Sequence, residues 1–563
     1  MRTKNILILS IATATFLLAA QPTSGDIEKQ VQVPKEVEKG MNNVIPTIPT
    51  GELKPVMSDM GGKSVEIKSF KLSGALHVNS EKLLSMVNSY AGKSYTLGEL
   101  EKIASLITKA YREEGYFVAR AYIPKQSMSD GILEIAIIEG NYGAFKLDNS
   151  SLVNNARVQG MLDDIKDANI VSTNTLERAM LIINDTPGAK VTGADVMPGS
   201  KVGTSDFAIK TEATNPYSGY ILGDNYGSKY TGKYRVNLGL NANSPLGYGD
   251  KLSLNGVMST TADTTDKNDL KNGKVAYGFP LMDNGLRGEL SAAKTTYTLG
   301  EEFDDSDAFG TATTLEASLS YPLIRTREET LKLSLGYAHK NLKDEKSSTV
   351  DKKEADVATL SAIYTKSCML FGLESSTTAT LNLTHGDLSI KDPDFLATDQ
   401  KADGVKTNGE YTKISGTIEK GFTFNPEYSL TASLRFQKAL GNKNLDGSED
   451  FSLGGAYGVR AFPDGEHSAE NGYIFGAELF YTLPSYEGIN HKASIFADTG
   501  YAKMENPLTT TQGRQLSDVG LGYQASYKDF FAKAQVARVM GGEKSTTEDR
   551  DSTRALLQIG WMY

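Results

Sequence analysis

The chain of 563 residues carries 39 % hydrophobic and 23 % charged residues, a net charge of -10 at pH 7, one Cys, one Trp, 54 Gly, 27 Tyr and 20 Phe. The length allows three or four domains of about 100–200 residues each. The lone Cys368 excludes a disulfide scaffold and a multi-Cys zinc site, the acidic balance leaves no global basic footprint for nucleic acid, and the only long apolar run is N-terminal, which excludes a polytopic helical membrane protein.

Arg2 and Lys4 precede an uncharged stretch from Ile6 to Ala20, followed by small and polar residues. This is the layout of a secretory signal, taken as residues 1–25 and cleaved after Ala20 or Gly25. A chain exported this way works where ATP is not available. Residues 26–64 read as a plug helix or linker: Asp26 to Lys39 could form a short charged helix that Pro34 interrupts, and Pro46, Pro49 and Pro55 favour extended backbone.

Residues 65–140 have the pattern of a compact α/β unit. Val65 to Phe70 alternates as a strand, and Asn79 or Ser80 caps a helix carrying Leu83, Leu84, Val87 and Tyr90. Thr96 and Glu99 form a capping box ahead of a helix with Leu100, Ile103, Ala104, Ile107, Ala110 and Tyr111 on one face. Tyr116–Ile123 and Ile132–Ile138 read as strands. Residues 141–212 repeat the β-α-α-β-β order more faintly.

From 213 onward the period changes to two. Tyr234, Val236, Leu238 and Leu240 alternate with polar residues or glycine, as do Leu331 to Tyr337, Tyr428 to Phe436, and Ala555, Leu557, Ile559, Trp561 and Tyr563. Alternating segments of about ten residues are the signature of a transmembrane β-barrel, although a soluble sandwich alternates in the same way. Polar stretches at 260–274, 300–311, 340–356 and 385–410 read as long loops, and Asn425-Pro426-Glu427 as a short turn. At about ten residues per strand plus connections, fourteen to eighteen strands fit.

Motifs for catalysis are not apparent. Gly62-Lys63-Ser64 and Gly92-Lys93-Ser94 lack the earlier Gly of a phosphate loop, having Met57 and Val87 there. His77, His339, His385, His467 and His491 are scattered without metal or triad spacing, so no enzyme activity, cofactor or metal is expected.

Several motifs resemble those of the two-partner secretion transporters, the TpsB proteins that export haemolysin- or haemagglutinin-type exoproteins. Ala110-Tyr111-Arg112-Glu113-Glu114-Gly115-Tyr116, Ala121-Tyr122-Ile123-Pro124 and Ser129-Asp130-Gly131 resemble the first POTRA domain. Asp185-Thr186-Pro187-Gly188 and Gly203-Thr204-Ser205-Asp206 resemble the second, and Asp224 to Gly232 and Ser244 to Asp250 the first barrel hairpin. Gly458, Val459, Arg460, Ala461, Phe462, Pro463, Gly465 and Glu466 are similar to the lid-loop motif, with Ala461 where the wider superfamily has Gly. Phe496, Asp498 and Gly500 are similar to its partner on the barrel wall.

The resemblance implies a membrane all-β fold: a sixteen-stranded transmembrane β-barrel over 213–563, with a lid loop around 454–472, preceded by two small α/β POTRA domains at 65–140 and 141–212. It implies an outer-membrane pore with periplasmic POTRA domains. These would capture an unfolded TpsA-like, β-helical exoprotein, which is exported without nucleotide hydrolysis. Outer-membrane lipid and the barrel-assembly machinery are the other expected partners, the latter reading Trp561 and Tyr563 at the C-terminus; nucleic acid is not expected. The lid is expected to place Arg460 against Asp498, on the inner face of an alternating strand. An assembly insertase of the same superfamily is the alternative reading, and a passive porin or outer-membrane enzyme a third.

Overall fold

The computed structural model describes residues 21–31, 43–48, 64–127, 130–168, 170–261, 268–347, 349–507, 513–548 and 552–563. Residues 1–20 of the signal sequence expected at 1–25, and the Pro34 kink, lie outside the described residues.

Two α/β units precede the barrel. In the first, helices Ser80–Asn88 and Leu97–Glu113 accompany a sheet ordered 69–73, 132–138, 120–122, its first pair parallel and its second antiparallel. Thr96 and Glu99 do form a capping box on the longer helix. The strand expected over 65–70 is broken at Lys68, whose N–H donates to the Gly131 carbonyl at 2.7 Å, and Val65–Ile67 pairs instead with Lys93–Tyr95. The second unit has the same topology, with its sheet ordered 141–150, 204–213, 189–198 and helices at Asn155–Asp163 and Thr173–Asn184.

The two units share packing. The strand expected over 116–123 shrinks to Arg120–Tyr122, because the chain turns after Gly115 and buries Phe117 in the core of the second unit. The Gly115 carbonyl also accepts from the Thr173 N–H at 2.9 Å. This fixes the elbow between them.

Sixteen antiparallel strands close the barrel. They are β1 (Tyr217–Asp224), β2 (Tyr234–Asn243), β3 (Lys251–Thr260), β4 (Asp269–Pro280), β5 (Arg287–Thr298), β6 (Phe309–Arg325), β7 (Glu329–Lys346), β8 (Thr349–Leu370) and β9 (Leu373–Ile390). The second half comprises β10 (Gly409–Thr423), β11 (Tyr428–Leu440), β12 (Asn471–Thr482), β13 (Asn490–Lys503), β14 (Arg514–Tyr527), β15 (Phe530–Val539) and β16 (Thr553–Met562). Apolar residues alternate outward as the period-two pattern requires: Val236, Leu240, Leu335, Leu557 and Ile559 are exposed, facing what would be lipid. β16 closes on β1 through five residue pairs, Gln558–Asp224 to Met562–Tyr220, and Tyr563 exchanges both backbone hydrogen bonds with Gly219. The Trp561 and Tyr563 rings stack beside this seam.

The loop expected at 340–356 is instead a continuation of β7 and β8, and β9 runs on to Ile390. Beyond the outward apolar band the pattern inverts. Leu342, Ala355, Val357, Leu388 and Tyr411 are buried together on the inner side, while His339 and Asp356 pair outside at 2.8 Å. At 340–356 polar sequence therefore marks strand projecting past the membrane, whereas 391–408 is a connection with a short helix at Pro393–Asp399.

The N-terminal helix is also displaced from the expected position. α1 (Ser24–Gln30) starts with a Thr23/Asp26 capping box, so a boundary at 25 or a cut after Gly25 would sever it. It lies within the barrel. The Ser24 N–H donates to Asp344 Oδ1 at 2.7 Å. Ile27 is fully buried among Tyr230, Val257, Leu270, Tyr297, Leu299 and Ala308. A Cβ at Gly25 would fall 2.5 Å from that of Ser448, so only glycine fits there. The lumen thus holds an apolar cluster where α1 is seated.

Residues 43–48, expected to be linker, are docked. Ile45 and Ile48 join the core of the second α/β unit. Arg325 at the end of β6 is buried and donates Nε and NH2 to the two Asp185 oxygens, each at 2.7 Å, and NH1 to Asn43 Oδ1 at 2.8 Å. Arg327 pairs with Glu177 at 2.6 Å and donates to the Pro46 carbonyl at 3.0 Å. The second unit is further held to the barrel turns by Arg157–Asp283 at 2.8 Å and by the Asn154 N–H on the Gly247 carbonyl at 2.8 Å.

Arg325→Ala removes a charge-assisted fork of the kind that contributes about 1.5–3 kcal/mol per bond. It should loosen this junction without opening the barrel, seen as faster limited proteolysis of the α/β units with unchanged heat-modifiability. Deleting 554–563 removes the closing strand and leaves two unpaired edges in hydrocarbon, which a bilayer does not tolerate. No heat-modifiable protein should then reach the membrane fraction.

Candidate functional site: the lid loop and its wall

The loop between β11 and β12 turns back into the lumen. Its stem is the short pair Phe451–Ser452 and Ser468–Ala469, and residues 471–472, expected to be lid, already belong to β12. At the tip the backbone folds on itself: the Val459 N–H donates to the Leu453 carbonyl at 2.8 Å and the Gly455 N–H to that of Phe462 at 3.0 Å. Gly458 allows this closeness, since a Cβ there would lie 2.2 Å from the Leu453 oxygen, and Gly465 turns the far side with φ +77°. The Pro463 carbonyl lies against Gly454.

Apolar burial and charge hold the tip to the wall. Val459 and Phe462 are fully buried with Leu453, Ala461, Phe496, Leu516 and Ala537. Alternation along β13 turns Phe496, Asp498 and Gly500 inward and Ile495 outward. Arg460 Nε donates to Asp498 Oδ2 at 2.7 Å and its NH2 to Oδ1 at 3.1 Å, a two-pronged pairing. The third nitrogen donates to Glu478 Oε2 at 2.8 Å, and Ser494 Oγ donates to the other Glu478 oxygen at 2.6 Å. The guanidinium lies over the Phe496 ring, 3.4 Å from its centre. The flat cation thus uses its edge for carboxylates and its face for an aromatic ring, which a lysine ammonium cannot do. Both side chains of the Arg460–Asp498 pair are at least nine-tenths buried, so solvent does not screen it as it would an exposed pair.

Other contacts involve residues that motif reading did not single out. The Ala461 N–H donates to Asp518 Oδ2 at 2.6 Å, and Arg554 NH1 donates to the Phe462 carbonyl at 2.7 Å. Glu466 accepts from Ser545 Oγ at 2.6 Å, the Thr546 N–H at 2.7 Å and Thr547 Oγ1 at 2.6 Å, and pairs with Arg514 at 2.6 Å. The lid is thereby tied to the β15–β16 loop as well as to the wall. The available signal was parity: Glu478 and Asp518 sit at inward positions of strands whose outward residues are apolar. Trp561 and Tyr563 are not part of this site. They lie on the outer surface at the seam. His385 bonds Thr412, not Asp387, and among the described residues no cluster of His, Cys, Asp and Glu could hold a metal.

A closed sixteen-stranded barrel with two small α/β units at one end and a loop pinned inside it defines an outer-membrane barrel with POTRA domains. Residues 203–525 match the family described as "Haemolysin secretion/activation protein ShlB/FhaC/HecB", and residues 65–140 match "POTRA domain, ShlB-type". The chain belongs to this family, the TpsB transporters of two-partner secretion. It is an outer-membrane protein with its POTRA domains in the periplasm. It is similar to the heme/hemopexin transporter protein HuxB of Haemophilus influenzae strain 86-028NP, 28% identical over 76% of this chain and 74% of the relative. It is also similar to the outer membrane transporter CdiB of Escherichia coli, 22% identical over 93% of this chain and 90% of that one. A solved structure of CdiB from Escherichia coli has the same fold, with TM-score 0.72 at 20% identity, covering 92% of this chain and 94% of the other.

Arg460→Ala should leave the strand ladder intact and barrel abundance near normal, because its partners are lid and wall side chains. It strands two buried carboxylates, a change of the kind that costs about 3–5 kcal/mol, and should detach the lid. Secretion measured by pulse-chase should fall at least tenfold, with Arg460→Lys intermediate. Full secretion by Arg460→Ala with the lid still docked would refute a role for the pair.

Proposed function

We propose that this transporter captures an unfolded exoprotein in the periplasm through its POTRA domains and passes it through the barrel to the cell surface, driven by folding of the passenger outside rather than by nucleotide hydrolysis. One observation carries the reading: what fills this barrel is α1 and the lid loop, segments separable from the strand ladder. A sixteen-strand wall can therefore stay closed while its contents change. The sheet of the first POTRA domain ends in edge strands at Ser69–Ser73 and Arg120–Tyr122, the second with its Ala121 N–H already donated to Thr108 Oγ1 at 2.9 Å. An extended chain can add to such an edge by backbone hydrogen bonds, whatever its sequence. No catalytic step is part of the proposal. The names of the relatives, a heme/hemopexin transporter and CdiB transporters, support a passenger that is a secreted exoprotein of the TpsA type. The outward apolar band is proposed to meet outer-membrane lipid. Trp561 and Tyr563 are proposed as the end that the barrel-assembly machinery reads, and Arg460 with Asp498 as the lid's anchor.

Deleting residues 65–140 is a poor test, since it removes Phe117 from the core of the second domain. A photo-crosslinking residue at Tyr122 or Lys71, on the two edge strands, tests capture in the intact protein. Adducts with the passenger should form during secretion at both positions and not at Lys82, on a helix. Secretion proceeding with no edge adduct would contradict capture by strand addition.

A further inference from the structure

The inner wall between the periplasmic mouth and the lid carries polar groups that the folded barrel does not use. Gln535 on β15 and Gln558 on β16 are 2 % and 0 % exposed. For each, the side-chain nitrogen and the side-chain oxygen have no hydrogen-bond partner among the described residues. Strand parity points both inward: Ala534, Val536, Leu557 and Ile559 face out, whereas Ala537, Arg554 and Leu556 share the inner face. Buried amides are nearly always paired in folded proteins, and two adjacent ones left wholly unpaired call for an explanation.

Register places them in an ordered array. Lys492, Gln524, Lys533 and Gln558 lie directly across from one another on β13, β14, β15 and β16. Gln535 is one step further in, opposite Gly522 and Leu556. The outer part of the array lines a cavity of about 360 Å³ with Phe531 and Met562, at the periplasmic end of the lumen. The inner part reaches the lid, since Ala537 belongs to the lid's apolar cluster and Arg554 holds the Phe462 carbonyl. The POTRA contacts described above engage the turns after β2, β4 and β6, on the other side of the mouth.

We propose that Gln535 and Gln558, with Gln524 before them, form a track that hydrogen-bonds the backbone of an extended polypeptide on its way from the periplasmic mouth to the lid. A side-chain amide presents the same donor and acceptor as a peptide group, so it pairs with any residue of a passing chain. Gln535 lies two residues further along the wall than the row that carries Gln524 and Gln558, a step that matches the period of an extended backbone. Lys492 and Lys533 at the entrance favour segments that carry carboxylates. Buried and unpaired in the resting state, the amides pair only when a chain enters. This rests on the reading that a polypeptide crosses the barrel.

The test replaces the amides by a side chain of similar volume, Gln535→Leu and Gln558→Leu, and measures two quantities. The temperature of heat-modification of the purified protein should stay unchanged or rise, because an apolar group replaces an unpaired polar one. Secretion of the exoprotein exported by the wild type should slow at least fivefold in pulse-chase, and Gln558→Asn, which keeps the amide, should recover part of the rate. A lower heat-modification temperature in both Leu variants would make the amides structural groups satisfied by water and overturn the track, as would wild-type secretion rates. Should the Leu variants fail to insert, Gln558→Cys provides the second measurement. It should form a disulfide with a single-Cys passenger stalled by a disulfide-locked C-terminal fusion, and absence of that adduct overturns the proposal. Lack of secretion by the wild type itself would instead count against the transport reading.

Discussion

In hydrocarbon every peptide group must find its hydrogen bond within the protein, so the wall of this barrel cannot give up a strand without exposing two unpaired edges. That constraint assigns the remaining parts their places. Whatever opens or closes the passage has to be built from segments outside the ladder, and the chain supplies two, α1 and the loop between β11 and β12. Both are held by side chains rather than by strand pairing: Ser24, Ile27 and Glu28 for the helix, Arg460, Phe462 and Glu466 for the loop. Their release therefore costs side-chain contacts and leaves the ladder whole.

The lid attachment combines two kinds of interaction with different demands. Phe462 and Val459 are removed from water, which favours docking without dictating orientation. Arg460 supplies the orientation, because a planar fork between Asp498 and Glu478 with an aromatic ring beneath it has one good geometry. Burying a cation beside two carboxylates is expensive unless all three are hydrogen-bonded. Ser494 supplies the second hydrogen bond to Glu478, and the Ala461 N–H bonds one oxygen of the neighbouring Asp518.

Much of this was legible from residue patterns, for physical reasons that also mark where legibility ended. Lipid imposes an apolar outward residue at every second position, so Val236 or Ile559 declares its side in the sequence. The same rule placed Asp498 inward. It failed above the membrane, where water replaces lipid outside and Leu342, Val357 and Leu388 turn inward to pack with one another. Capping chemistry located the helix at Leu97–Glu113, because Thr96 and Glu99 are neighbours in the chain. By contrast, the burial of Ile45 and Ile48, the Arg325–Asp185 clasp and the tie between Glu466 and Thr547 join residues far apart in sequence, and no local pattern announces them.

The anchoring of residues 43–48 bears on how far α1 could travel. Only eleven residues separate Val31 from Asn43, and the twelve steps between them, at no more than about 3.6 Å each, span roughly 43 Å. A helix expelled from the lumen would stay within that distance of Asn43. Such a tether keeps its end at an effective concentration of order millimolar near the vacated site. Reinsertion is then an intramolecular step, independent of how much protein the membrane contains. Such a helix would need no partner to bring it back.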